Sequence, residues 1–348
     1  MRRLLALLLL LAAPAALAQV DEKKLIQEGI ALFDAGNYDA AIAKYKEALA
    51  ASPRNADAAH ELALTYTAKS QFRECRDLLQ PLVKDADAAA AILFDPLGNC
   101  LDAMGKPDEA IAVYRRGLAL RPNDPQLSFN LALTLGNRGK LDEARELLKS
   151  ELRQRPGHAS GHLALGQIYR AQGFRVPATV ELLRFLALEP TSSRAKAAAA
   201  QALELLNVGV KKTGEKSINL TIDPNSPKGE GDFGALEMGW ALAAGAQFTD
   251  EKAKKSEFEH LLDQVGASIA MLVEMNDKPT GFIGQTEVPF FSELSEAKRV
   301  EPFVAIAFSS LRTPGYDVWI KQHQDEVEKT FDWLAKQKEK APIPVPQP

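Results

Sequence analysis

The chain has 348 residues, 46% of them apolar and 25% charged, enough for two packed cores. Its formal charge of −4 is spread over 42 basic and 46 acidic side chains. That mildly acidic, mixed surface argues against nucleic acid, which calls for a basic stripe, and against electrostatic adhesion to anionic lipid.

Residues 1–18 read as a secretory signal peptide. Arg2 and Arg3 precede the unbroken apolar run Leu4–Ala13, and Ala16-Leu17-Ala18 supplies a small-x-small cleavage site. The rival reading, an uncleaved anchor, needs about eighteen apolar residues to span a bilayer, and Leu4–Ala18 is shorter. No cysteine lies near the cut, which closes the lipoprotein route. The expectation is a mature chain starting near Gln19, carrying a formal charge of −6 without Arg2 and Arg3, and exported to the periplasm or beyond. No later stretch is apolar enough to insert in a membrane. Cys75 and Cys100 are the only cysteines; in an oxidising compartment they either pair or stay buried as small hydrophobes.

From residue 22 the chain repeats itself every 34 residues, with one single-residue insertion. The anchors are Ala41, Cys75, Ala110, Ala144 and Ala178. Twelve residues earlier stands a small residue each time: Gly29, Ala63, Gly98, Ala132, Gly166. Large apolar residues recur nine before the anchor (Leu32, Tyr66, Leu101, Leu135, Tyr169) and four after it (Tyr45, Leu79, Tyr114, Leu148, Leu182). Each unit is predicted to be two helices joined by a turn at Gly36, Ser70, Gly105, Gly139 or Gly173, where positive φ is favoured. Pro53, Pro122, Pro156 and Pro190 stop the second helices. The paired small residues let the two helices approach, and the large ones fill the crossing.

This pattern resembles the tetratricopeptide repeat family, with five copies across residues 22–190. The first-helix tryptophan position is weak here (Leu25, Ala59, Phe94, Ser128, His162), and His162 is expected to pack where the family prefers a bulky aromatic. Asp95-Pro96, inside the third copy's first helix, predicts a late start or a kink. Residues 193–209 read as a lone first helix capping the fifth copy, completing a segment that runs 19–209.

Beyond Lys211 the repeat vanishes. Residues 210–232 read as a linker with a short strand in "SINLTID" and a loop across "PNSPKGEGD". A helical domain is predicted over 233–340, with helices at Ala235–Ala246 and Asp250–Met275, a proline-broken stretch across Val288–Leu311, and Asp317–Lys338. The last carries Val327, Phe331 and Leu334 on one stripe. This segment either owns its core or docks on the cap helix. It is similar to the C-termini of other exported bacterial repeat proteins, a likeness that supplies no activity. Residues 341–348 are a proline-rich tail.

Gly229, Gly231 and Gly234 spell G-x-G-x-x-G, and Asp232-Phe233-Gly234 spells D-F-G. A dinucleotide site needs a strand running into the first glycine, and a kinase needs H-R-D between two separated motifs; neither holds here. Glu230 and Asp232 would also repel phosphate. The stretch reads as turn and hinge residues between two helical bodies, with Asp232 capping the next helix. His158 and His162 are four apart without an evident third ligand, and His260 and His323 lie on predicted helices without a nucleophile beside them. No G-x-S-x-G, H-E-x-x-H or C-x-x-C occurs. No catalytic residue, cofactor or metal is expected.

The family resemblance implies that first helices line a concave groove. Carried over copy by copy, the groove residues are Ile26, Ile30 and Phe33; His60, Leu64 and Thr67; Asp95, Asn99 and Asp102; Phe129, Asn130, Leu133 and Asn137; and Leu163, Gln167 and Arg170. The family's carboxylate-clamp positions fall on Ile26, Ile92 and Pro96, so a terminal carboxylate is not the expected ligand. The reading is an all-α protein, a helix-turn-helix superhelix of tetratricopeptide type followed by a second, mostly helical domain. The expected role is a non-catalytic adaptor or assembly factor binding a protein or peptide of the bacterial cell envelope. The alternatives are an enzyme or saccharide-binding site in 211–340, and self-association through the repeats.

Overall fold

The helices that the spacing predicts form in every repeat. The first copy forms α1 (Glu22–Asp34) and α2 (Tyr38–Ala51), and the second α3 (Ala56–Ala68) and α4 (Phe72–Leu82). The third forms α5 (Phe94–Ala103) and α6 (Pro107–Leu120), the fourth α7 (Pro125–Asn137) and α8 (Leu141–Gln154), and the fifth α9 (Ala159–Ala171) and α10 (Arg175–Leu188). The computed structural model describes residues 21–84, 87, 89–214, 218–221, 229–246, 255–274 and 281–337. The expected signal peptide, the tail 341–348 and residues 222–228 of the linker lie outside the described residues.

Local chemistry starts and ends these helices. Asp21, Asn55 and Asp124 accept backbone amides two or three residues on through their side chains, satisfying otherwise orphaned donors. The five predicted turn residues all take positive φ: Gly36, Gly105, Gly139 and Gly173 lie at 73–80° and Ser70 at 57°. At the first crossing a Cβ on Gly29 would run into the Tyr45 ring, and at the fifth Gly166 faces Leu182 Cγ at 3.3 Å. The small and large partners meet as read. The third copy's first helix does start late: a 3-10 turn, Ala90–Leu93, precedes α5, leaving Pro96 in its first turn.

The chain divides into two compact units, residues 1–106 and 107–348, and the boundary falls between α5 and α6 of the third repeat. In the first unit Cys75 of α4 and Cys100 of α5 form a disulfide with Cα atoms 6.4 Å apart, deciding between the two readings of the cysteines. Both are fully buried.

In the second unit the cap helix α11 (Ala195–Leu206) leads into an antiparallel ribbon of β1 (Val210–Lys212) and β2 (Ile218–Leu220), with Val210 opposite Leu220. The sequence suggested one strand; its partner follows the cap directly. Then come α12 (Gly234–Ala246), α13 (Glu257–Glu274), a π-turn (Ile283–Glu287) continuing into α14 (Val288–Glu296), and α15 (Val300–Ala307). The expected last helix is two: α16 (Tyr316–Gln322) and α17 (Gln324–Gln337) break at His323, whose ring stacks on Trp319 with centroids 4.1 Å apart. On α17, Val327 and Leu334 are buried as read, but Phe331 is 42% exposed and Thr330 faces inward instead.

The core of this unit is centred on α10. Every residue from Val176 to Leu188 is buried. Helices α9 and α11 pack on it as repeat neighbours, and α12, the π-turn, α15 and α17 cover it from the C-terminal segment. A helix that is apolar on all sides, as VELLRFLAL nearly is, must be enclosed in this way. Among the described residues no helix is long and apolar enough to cross a membrane.

Candidate functional site

The small residue of each first helix points into the crossing with its partner helix. The residue after it sits about 100° further round and faces away from that crossing. In residues 1–106 this rule exposes Ile30 (37%) and Leu64 (36%), and in 107–348 it exposes Leu133 (39%). The corresponding positions of the third and fifth copies hold Asn99 and Gln167, both half-buried.

The other expected groove residues fall around these. In the first unit Ile26 packs beside Leu25, Ala48 and Ala58, and Phe33 lies 5.2 Å from the Tyr38 ring. His60 approaches Glu61 at 3.4 Å, and Thr67 donates to the Ala63 carbonyl. Asn99 donates to Asp95 at 3.2 Å, and Asp102 is half-buried beside them on α5. In the second unit Phe129 meets the His158 ring edge-on at 4.6 Å, Asn130 and Leu163 are half-buried, and Asn137 is exposed. Gln167 donates to Gln201 of the cap helix at 2.6 Å, and Arg170 pairs with Glu204 at 3.6 Å. The C-terminal helices cover the second helix α10, and Leu133 and Asn137 on α7 are exposed.

The glycine-rich stretch does not behave as a hinge. Glu230 is 5% exposed, and its carboxylate accepts from Arg145 Nε at 2.9 Å, Lys149 Nζ at 3.1 Å and the Tyr169 hydroxyl at 3.1 Å. Burial and the adjacent Glu230 charge push the Tyr169 hydroxyl well above its ordinary pKa. Gly281 closes the site from the other side: it has φ +68°, and a Cβ there would meet the Glu230 carbonyl at 2.9 Å. Asp232 accepts from the Gly234 amide at the start of α12, in keeping with its expected capping role.

A second buried cluster was missed from sequence. His162 of α9, Glu181 and Arg184 of α10 and Glu287 of the π-turn are all at most 4% exposed. His162 is therefore more than an aromatic stand-in: its Nδ1 lies 2.7 Å from Glu181 Oε2 and its Nε2 2.9 Å from the Pro156 carbonyl. Arg184 donates to Glu287 at 2.7 Å. His162, Glu181 and Glu287 offer ligand atoms within 4.8 Å of one another. Near α17, a cavity of about 290 Å³ is lined by Ala187–Ser192, Phe331, Leu334 and Ala335; Glu189, its one carboxylate, is held by Arg194 at 2.7 Å.

A tetratricopeptide-repeat family model matches residues 3–156. Human protein O-mannosyl-transferase TMTC1 is 25% identical over 172 residues, 48% of this chain and 19% of that protein. The Arabidopsis thaliana TPR repeat-containing thioredoxin TTL4 is 32% identical over 96 residues, 26% of this chain and 14% of that protein. The chain thus spans a fifth or less of the curated relatives it matches. Among solved structures, YrrB, described as a TPR protein with an unusual peptide-binding site, is 25% identical with a TM-score of 0.41, over 53% of this chain and 92% of its own. TTC0263, a thermophilic TPR protein of Thermus thermophilus, is 20% identical with a TM-score of 0.44, over 53% of this chain and 98% of its own. Helices α1–α8, which lie within the matched residues, thus have a tetratricopeptide-type helical-repeat architecture.

Proposed function

We propose that the protein is a non-catalytic adaptor or assembly factor of the cell envelope that holds a peptide or protein segment against the first helices of its repeats. The observation that carries this reading is the exposure of Ile30, Leu64 and Leu133 at one repeat position. Core pressure would put large apolar side chains inside, and these three instead offer anchors of the kind a docked segment buries. Export is part of the proposal. It rests on the leader pattern of residues 1–18 and is supported by the Cys75–Cys100 pairing, since disulfides persist in oxidising compartments.

The test is peptide display against the chain from Gln19 onward, followed by calorimetry on the recovered peptides. Ile30→Ser and Leu133→Ser are expected to weaken those peptides tenfold or more, about 1.4 kcal/mol or above, with thermal stability unchanged. Unchanged affinity in both variants would overturn the groove reading, as would recovery of no peptide alongside binding of cell-wall saccharide fragments.

A further inference from the structure

The quartet of His162, Glu181, Arg184 and Glu287 has a charge balance that specifies one proton. A carbonyl only accepts, so the 2.9 Å contact with Pro156 places a hydrogen on His162 Nε2. Arg184 and Glu287 neutralise each other through their 2.7 Å ion pair, and the guanidinium lies 3.8 Å over the Phe290 ring. That leaves His162 and Glu181, joined at 2.7 Å and fully buried. With one proton on that line the pair is an imidazolium–carboxylate or an imidazole–carboxylic acid, and the quartet is neutral either way. Without it, Glu181 and Glu287 share a single Arg184 and one negative charge is stranded in the core, which is costly. A divalent cation in place of the proton would leave a net positive charge against Arg184, so electroneutrality favours a proton over a metal.

The charges acting on His162 are those of Glu287, Glu181 and Arg184, and those acting on Glu181 are Glu287, His162 and Arg184. Tyr169, two turns along α9, also feels Glu181. Burial lowers the His162 pKa, but the Glu287 charge and the bond to Glu181 outweigh it and the net shift is upward. Burial, with the Glu287 charge, raises Glu181 to about 7 against the opposing pull of His162. Both folded-state values lie above the unfolded ones, so stabilisation by the pair is complete below the unfolded values and is lost as pH rises through neutrality. The partners come from different parts of the chain: α9 and α10 are repeat helices, and the π-turn leads α14 and α15 onto α10.

We propose that this quartet is a proton-dependent latch: the protonated His162–Glu181 pair holds Glu287 and the helices behind it on the fifth repeat, and loss of that proton loosens them. This stands apart from the peptide-binding reading. The Glu230 site, built on Arg145, Lys149 and a tyrosine hydroxyl with no histidine in contact, is the internal control.

The test compares the mature chain with Glu181→Gln and Glu230→Gln by thermal unfolding and hydrogen exchange from pH 5.5 to 8.5 at fixed ionic strength. In the wild type the melting temperature is expected to fall by about 3 °C or more as pH rises past 7, and α14 and α15 amides to exchange about fivefold faster than intrinsic chemistry accounts for. Glu181→Gln keeps a side-chain amide beside His162 and is expected to flatten both trends; Glu230→Gln is expected to lower the melting temperature equally at every pH. His162→Gln is the second variant should Glu181→Gln not fold; it removes the opposing pull on Glu181, so the fall in melting temperature is expected to move to higher pH. Parallel pH profiles in the wild type and the quartet variant overturn the latch. So does a zinc-induced, chelator-reversed rise in melting temperature at pH 8, which would assign the site to a metal.

Discussion

Residues 1–106 and 107–348 hold the same helix pairs together with different chemistry. The first unit carries a covalent staple, Cys75–Cys100, between the second and third repeats. The second has no cysteine and instead buries two carboxylates from its C-terminal segment, Glu230 and Glu287, against cations on the second helices of the fourth and fifth repeats. A disulfide acts largely by restricting the unfolded chain, so it works wherever the ends can meet. A buried ion pair must offset the desolvation of both partners, so it works only where packing is complete. The second unit supplies that packing by surrounding α10.

The sharpest way to break this comparison is Glu230→Ala. It removes the buried carboxylate shared by Arg145, Lys149 and the Tyr169 hydroxyl, leaving the two cations only their exposed partners Asp142 and Glu146, and is expected to cost the second unit about 3 kcal/mol in denaturant unfolding. A loss under about 1 kcal/mol would mean that the loop contributes little to closing this unit. Next in size, removing the disulfide as the Cys75→Ala/Cys100→Ala double variant is expected to cost about 2–4 kcal/mol. Hydrogen exchange should place that loss in α3, α4 and α5 and leave α10 and α15 protected. Loss of protection in α10 instead would show that the two units do not differ as described. Smaller again, Gly29→Ala presses a Cβ into the Tyr45 ring, with an expected cost of about 1–3 kcal/mol by overpacking. The same substitution at Gly36 meets no atom within 4 Å, and its penalty comes from φ +77° alone.

The repeat was legible in sequence because its rule is local. Gly29 against Tyr45, or Gly166 against Leu182, is a contact within one helix pair, and a period of 34 residues displays it five times. The late start of α5 was legible for the same reason, through Asp95-Pro96. Glu181 and Arg184 were not, because a charged residue in a helical pattern ordinarily faces water; the available signal was their setting in VELLRFLAL, apolar on nearly every side. Glu230 was obscured by its neighbours: a glycine-rich loop suggests freedom, and only tertiary contact with Arg145 and Lys149 shows it pinned. Phe331 failed in the other direction. Its stripe with Val327 and Leu334 promised burial, but on α17 Thr330 faces inward in its place.

The groove is expected from family resemblance and proposed on exposure, and its most direct test contrasts two side chains of similar exposure in the same unit. Leu133 (39%) lies on a first helix and Phe331 (42%) on α17. Peptides selected on the chain from Gln19 onward are to be titrated against Leu133→Ser and Phe331→Ser, with thermal melts confirming both folds. Binding through the first helices predicts at least tenfold weaker affinity for Leu133→Ser and none lost for Phe331→Ser. The reverse pattern, with Leu133→Ser binding as wild type and Phe331→Ser failing, would contradict it.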